Sequence, residues 1–290
     1  MLNVGFIFPT SDYLFNPFKG DPHTHFQILT VLEEYFSGKI NLLLIDLRGI
    51  KKEFTIYHIP ECDVYLHSVY TLDYAEQVAT VAELRRRYPK AKHIAGGPHT
   101  TVFRDESLKI FDSLIIGDGE DSIVQAIKDI MDSRLKPVYV QEKPVDINRY
   151  PYPRRKYLPA SAVARQGLMA LRHKKDYDKL LSTTVIFSRG CPYECKYCAG
   201  HRVFGRKIRY RSPANVINEL KTLKGMGIKE INFSDDELTL NRKYFMELCG
   251  ALIGSGVNMR WECSNGVRLD TLDDEVLELM YEAGCRYIAV

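Results

Sequence analysis

Ser188-Arg189-Gly190-Cys191-Pro192-Tyr193-Glu194-Cys195-Lys196-Tyr197-Cys198 places three cysteines at Cys-x3-Cys-x2-Cys spacing. The run Thr183–Phe187 before it is β-branched and apolar and reads as a strand. The cysteines therefore fall on a loop at a strand's carboxyl end, where β/α folds carry their chemistry. Three thiolates on one short loop can hold three irons of a cubane cluster and leave the fourth without a protein ligand. With His201 the same thiols make a Cys3His zinc set, and both readings stand at this point. Cys62, Cys249, Cys263 and Cys285 are scattered and read as small core hydrophobes.

Working outward from the loop, Ser212-Pro213 reads as an N-cap with Pro at the first helical position. The helix it opens carries Val216, Ile217, Leu220 and Leu223 on its apolar face, and Gly225 and Gly227 close it. Glu230–Phe233 is the next strand, and Tyr244, Phe245, Leu248, Cys249 and Leu252 line the next helix. Met259–Ser264 is a third strand. Thr271-Leu272-Asp273-Asp274 resembles a capping box for a helix through Val276, Leu277 and Met280. Arg286–Val290 begins a fourth strand. A series of this kind is the first half of a β/α barrel, residues 183–290.

Residues 1–135 also alternate strands and helices. Asn3–Phe8, Asn41–Ile45, Asp63–Leu66, Lys92–Ala95 and Leu114–Ile116 are short, bounded apolar runs, as buried parallel strands are. Ile28, Leu32 and Tyr35 mark one helix, Tyr74, Val78, Val81 and Ala82 a second, and Ile123, Val124, Ile127, Ile130 and Met131 a third. The expected fold is an α/β, doubly wound, Rossmann-like parallel sheet. Residues 136–182 read as a linker, with Pro137, Pro144, Pro151, Pro153 and Pro159 breaking any period. Arg149–Lys179 carries nine Lys or Arg and two Asp. His58, His67, His93 and His173 show no clustering along the chain.

The cysteine loop resembles the radical S-adenosylmethionine (SAM) superfamily, whose signature is Cys-x3-Cys-x-aromatic-Cys. The resemblance implies a 4Fe–4S cluster on Cys191, Cys195 and Cys198, with Tyr197 near the SAM adenine. It implies reductive cleavage of SAM to a 5′-deoxyadenosyl radical. It also assigns SAM contacts to Asp235, Asp236 and Glu237 after the second strand, and to Asn265 and Arg268 after the third. A carboxylate facing an ammonium in a dry cleft is a strong charge-assisted hydrogen bond. The basic residues Arg202, Arg206, Lys207, Arg209 and Arg211 read either as attraction for an anion or as a solvated loop.

The domain before the loop resembles the cobalamin (B12)-binding domain of B12-type radical SAM proteins. Its markers are Gly96-Gly97-Pro98-His99-Thr100 and Gly117-Asp118-Gly119-Glu120. The resemblance implies corrin contacts from Gly96, Gly97, Pro98, His99, Gly117, Gly119 and Glu120, and from Ser68, Tyr70 and Thr71 after the third strand. Asp21-Pro22-His23-Thr24-His25-Phe26 lacks the final Gly of a cobalt-ligating Asp-x-His-x-x-Gly motif, so His23 and His25 read as helix-start residues. The implied reaction is methyl transfer to an unactivated carbon, or a cyclisation or rearrangement. The substrate, a small molecule or a peptide, is not encoded legibly. The electron donor would be a flavodoxin or ferredoxin. A non-catalytic cofactor-binding module is the alternative. An RNA methylthiotransferase needs three further N-terminal cysteines, and only Cys62 precedes Cys191.

Composition agrees with a folded, two-domain chain. Of 290 residues 45% are hydrophobic, and 18 Tyr with 13 Phe exclude disorder. Forty basic and 37 acidic residues give a formal charge of +3, which does not predict a general nucleic-acid or membrane-surface binder. No apolar run approaches the ~18 residues of a membrane span. The run Val4–Phe8 ends at Pro9 without a basic flank, so no signal peptide is expected and the reading is cytoplasmic. Six-unit partial barrels need about 30 residues per unit. The expectation is thus a fragment, about 80–100 residues short of a complete barrel and by itself weakly active.

Overall fold

The computed structural model describes residues 1–19, 22–159, 162 and 181–290. Asp21 and most of the basic proline-rich stretch, including His173, lie outside them. The chain divides into two compact units. One is Met1–Val145 with Glu194–Gly205, and the other is Asp146–Tyr193 with Arg206–Val290.

The first unit is built on six parallel strands in the order β2-β1-β3-β4-β5-β6. They are β1 (Leu2–Phe8), β2 (Ile40–Asp46), β3 (Val64–Ser68), β4 (Lys92–Gly96), β5 (Ser113–Ile116) and β6 (Val138–Val140). Helices α1 (His23–Phe36), α2 (Tyr74–Arg87), α3 (Pro98–Val102), α4 (Arg104–Ser107) and α5 (Glu120–Met131) form the connections, and α6 (Gly200–Phe204) joins the same unit. Val4, Tyr65, Leu114, Leu29, Leu32, Leu84 and Ile127 are fully buried. Burial of each such side chain contributes roughly 1.5–3 kcal/mol. Two helix-face readings shift: Tyr35 and Met131 are exposed, and Phe26, Leu29 and Phe36 carry the buried face of α1 instead. The sixth strand lies in the stretch read as linker. Its register with β5 is set by Tyr139, whose hydroxyl donates to Asp129 Oδ2 at 2.7 Å and accepts from Lys136 N at 3.0 Å.

In the second unit, four parallel strands run in the order β12-β11-β10-β7. These are β7 (Ser182–Val185), β10 (Glu230–Phe233), β11 (Arg260–Cys263) and β12 (Cys285–Ile288). Strand β7 is followed by a two-stranded antiparallel ribbon, β8 (Ser188–Arg189) with β9 (Arg209–Tyr210). Helices α7 (Pro213–Gly225), α8 (Arg242–Gly254) and α9 (Asp274–Glu282) alternate with the strands. Each strand's neighbour in the sheet is its neighbour in the β/α series, which is the arc of an unclosed barrel.

The register gives this sheet two unlike faces. Thr183, Val185, Ile231, Phe233, Trp261, Cys263 and Cys285 share a buried face, where Phe233 meets Trp261 edge-on at 5.2 Å. Thr184, Glu230, Asn232, Arg260 and Glu262 share the other. A parallel sheet covered by helices on both sides is apolar on both, so a polar face marks the lining of a barrel.

Ser212 caps α7 as read, accepting from Asn215 N. The cap of α9 is Asp273, which accepts from Val276 N at 2.9 Å, and not Thr271. Thr271 instead donates its hydroxyl to Arg268 O at 2.7 Å within a short 3-10 turn.

Beneath β7 lies a buried ion triad. Glu219 accepts from Arg155 and forms an ion pair with Arg211 at 2.6 Å, and all three side chains are almost fully buried. Arg155 also donates to Thr184 O at 2.8 Å, and Arg211 to Ile186 O at 2.7 Å. The arginines thus tie the strand that leads into the cysteine loop to the helix that follows the loop.

Candidate functional site

The cysteine loop is closed at its base by the β8–β9 ribbon, with Ser188 opposite Tyr210 and Arg189 opposite Arg209. Cys191 is half-buried, while Cys195 and Cys198 are exposed. Cys62, Cys249, Cys263 and Cys285 are all buried, as expected of core thiols, and no disulfide forms among the seven. Burial pushes the Cys62 thiol up to about 11 and the Cys249 thiol up to about 12. Burial closes these four to an added ligand, and the three loop cysteines are the ones open to it. Cys198 Sγ accepts from Gly200 N at 3.3 Å. Tyr197 is exposed. Among the described residues, no three His, Cys, Asp or Glu side chains are drawn together closely enough to hold a metal ion. The donor set itself, three accessible thiols on one loop, suits iron–sulfur ligation.

The residues assigned to SAM cluster around that base. Asp235 is buried and accepts from Phe187 N at 3.1 Å, from Ser188 N, and from Ser188 Oγ at 2.6 Å. Burial raises its pKa to about 6, and the hydrogen bonds from Ser188 and Phe187 pull the other way. Asp236 is exposed, and its Oδ2 accepts from Gly190 N at 3.2 Å. Glu237 is buried. Its Oε1 accepts from Thr239 Oγ1 at 2.9 Å and its Oε2 from Arg268 N at 3.1 Å. Asn265 donates to Asp235 O at 2.8 Å. The Arg268 guanidinium pairs with Asp270 at 2.7 Å and lies 4.3 Å from the centre of the Tyr193 ring. These five residues are brought together, but Asp235 and Glu237 spend both carboxylate oxygens inside the chain.

In the first unit, the residues assigned to cobalamin sit at the carboxyl ends of the adjacent strands β3, β4 and β5. Val69 N donates to Gly96 O at 2.8 Å, and His99 N donates to Val69 O at 3.1 Å, which joins the loop of Ser68, Tyr70 and Thr71 to that of Gly96–His99. Gly97 has φ +104, and a Cβ there would lie 2.9 Å from Val69 O. Its glycine is thus required by the chain's own close approach. His99 is buried between Tyr74 and Phe103. Its Nδ1 lies 3.1 Å from Thr71 Oγ1, and its Nε2 has no hydrogen-bond partner. Gly117 has φ +87, and Glu120 opens α5 as a buried residue.

The strand order adds what the sequence did not show. Open α/β sheets bind ligands where the order reverses, here between β1 and β3. The loop after β1, Thr10–Phe15, faces that crevice. Thr10 N and Oγ1 both donate to Glu76 at 2.7 Å, and Tyr13, Phe15, Tyr70 and Leu72 are exposed. No local motif marks Tyr13 or Phe15; only the sheet order does. His67 and His93, unclustered along the chain, meet at 3.2 Å across β3 and β4, and Gln77 lies 3.1 Å from His67 Nδ1. Burial lowers these imidazoles to about 3 and about 4, so both are neutral. His25, in the first turn of α1, packs on Phe6 and Phe8 with Nε2 3.2 Å from Ile7 O, so the helix-start residue is also a core residue.

Residues 185–290 match the family model described as the Radical SAM superfamily. This part of the chain is therefore similar to the radical SAM superfamily. The chain is 29% identical over 203 residues to an uncharacterised methyltransferase of Pyrococcus horikoshii, covering 67% of the chain and 44% of the relative. It is 28% identical over 201 residues to bacteriochlorophyllide d C-12(1)-methyltransferase of Chlorobaculum tepidum, covering 68% and 41%. The radical SAM methyltransferase TsrM of Kitasatospora setae, solved with cobalamin and a 4Fe–4S cluster, superposes with TM-score 0.68 at 15% identity. That match covers 98% of this chain and 59% of TsrM. OxsB, a cobalamin-dependent radical SAM enzyme solved with aqua-cobalamin and SAM, gives TM-score 0.70 at 16% identity, covering 98% and 42%. The chain thus spans less than half the length of these two curated relatives, and its fold is that of the radical SAM proteins with a Rossmann-like first unit. Among the described residues, no helix is long and apolar enough to cross a membrane.

Proposed function

We propose that this chain is the cofactor-binding part of a cobalamin-associated radical SAM enzyme. The observation that carries the reading is the cysteine loop inside the matched region, with three accessible thiols where the other four cysteines are core. Cys191, Cys195 and Cys198 would hold a 4Fe–4S cluster. Bound there, such a cluster supplies the electron that cleaves the sulfonium C–S bond of SAM. The chain's own part is to hold and orient. Asp236, the exposed member of the carboxylate run, offers its remaining oxygen to the SAM ammonium. Tyr197 offers an exposed ring for the adenine. The polar face of Thr184, Asn232 and Glu262 gives the barrel lining its hydrogen-bonding groups.

Cobalamin is the second cofactor of the proposal. It is supported by the fold shared with TsrM and OxsB, both solved with cobalamin, by the exposed aromatic rim at the β1/β3 crevice, and by the orphaned buried Nε2 of His99. Methyl transfer is the reaction class, since both curated relatives above are methyltransferases. The test is anaerobic reconstitution with iron and sulfide. Wild type should take up about four irons per chain with a visible absorbance band. Replacing Cys191, Cys195 and Cys198 by Ala should abolish both, and stoichiometric uptake of hydroxocobalamin should survive that change. A preparation that binds zinc and refuses iron would end the radical reading.

A further inference from the structure

Of the three consecutive carboxylates after β10, two hydrogen-bond to the start of the cysteine loop and the third reaches it through Arg268. Asp235 takes the backbone N–H groups of Phe187 and Ser188, at the loop's entry. Asp236 takes Gly190 N, the amide just before Cys191, and is faced by Arg189 and Arg209 of the ribbon. Glu237 takes the Arg268 amide, and the Arg268 guanidinium covers the ring of Tyr193, between Cys191 and Cys195. The contacts therefore advance along the loop in the same order as the carboxylates advance along the chain.

We infer that Asp235, Asp236 and Glu237 act as a clamp that sets the position of the cysteine loop, with Arg268 as the arm of Glu237. They are positioning residues. The inference rests on the reading of the loop as a cluster loop, but it assigns the run a task distinct from binding SAM. A loop with two exposed thiols gains little order from packing. Hydrogen bonds from backbone amides to ionised carboxylates are among the stronger local restraints available to it. Asp235 grips two adjacent amides, those of Phe187 and Ser188, at the point where the ribbon strand begins. Asp270 holds the Arg268 guanidinium by two hydrogen bonds while its face lies over Tyr193.

The experiment uses the full chain, reconstituted anaerobically, and follows iron release to excess ferrous chelator by the loss of visible absorbance. Trp261 is the single tryptophan and lies in β11, so its emission reports whether the second unit stays folded. Asp235→Asn and Asp236→Ala should release iron about tenfold faster than wild type, the effect of losing one hydrogen bond to a charged group. Arg268→Ala should accelerate release several-fold. Asp236→Asn, whose amide oxygen can still accept from Gly190 N, should stay within about twofold of wild type. Asp236 and Arg268 are exposed, so these variants carry the test even where Asp235→Asn fails to fold. Release at the wild-type rate from Asp236→Ala and Arg268→Ala, with Trp261 emission unchanged, would overturn the clamp and leave the cluster reading standing. Failure of wild type to assemble any cluster would overturn both.

Discussion

Replacing Glu219 by Gln tests how the second unit holds the strand that feeds the cysteine loop. Glu219 balances Arg155 and Arg211 at side-chain exposures of 1%, 1% and 7%. The substitution keeps the shape and one acceptor oxygen but removes the carboxylate charge that faces both buried guanidinium groups. Breaking a buried pair by removing one partner costs about 3–5 kcal/mol. Because Gln can still accept one hydrogen bond, the lower figure of about 3 kcal/mol applies. At a urea slope of about 2 kcal/mol per molar, the unfolding midpoint should fall by about 1.5 M. Trp261 emission is the assay, since it reads the second unit alone. A control substitution, Arg242→Ala, removes an exposed guanidinium from Asp273 and Glu275 and should leave the midpoint almost unmoved. A shift below about 0.3 M for Glu219→Gln, under 1 kcal/mol at the same slope, would refute the reasoning. It would show that the carbonyls of Pro153, Thr184 and Ile186 satisfy the arginines without the carboxylate.

Two further outcomes follow from the first unit. His67 and His93 have folded pKa values of about 3 and about 4, below their ordinary 6.5, so their contribution to stability is complete above about pH 6.5 and is lost as the pH falls toward 4 and 3. Asp73, raised by burial to about 6, acts in the opposite sense: its contribution is present below 3.8 and lost as the pH rises through 6. Two histidines outweigh one carboxylate, so amide exchange in β3 and β4 should be faster at about pH 5 than at about pH 7.5, after correction for intrinsic rates, and His93→Gln should flatten the difference. Equal protection at both pH values would contradict the neutral pair. Gly97→Ala should destabilise the first unit by roughly 1–3 kcal/mol, through positive φ and the close approach to Val69 O, with a lower thermal midpoint. An unchanged midpoint would mean that the Val69 loop yields at no cost.

Much of this architecture can be read from local pattern. Short apolar runs between amphipathic stretches give the strands and helices, because burial imposes its period on neighbouring residues. The cysteine loop can be read because iron or zinc ligation demands several thiols close together in the chain. Other features depend on contacts distant in sequence. Val138–Val140 is a strand because it pairs with β5, with Tyr139 also reaching Asp129, although Pro137 directly precedes it. His67 meets His93 only once β3 and β4 pair. The exposed rim of Tyr13, Phe15 and Tyr70 becomes a candidate site only through the strand order.

By itself, then, the sequence determined two α/β units and a three-thiol loop at a strand's carboxyl end, because hydrophobic periodicity and ligand spacing are properties of neighbouring residues. Only the tertiary structure decided what Asp235, Asp236 and Glu237 do with their oxygens. Their partners Phe187, Ser188, Gly190 and Arg268 lie about 30–50 residues away along the chain. Which backbone amide faces which carboxylate is set by strand register and loop closure, and no local pattern encodes either.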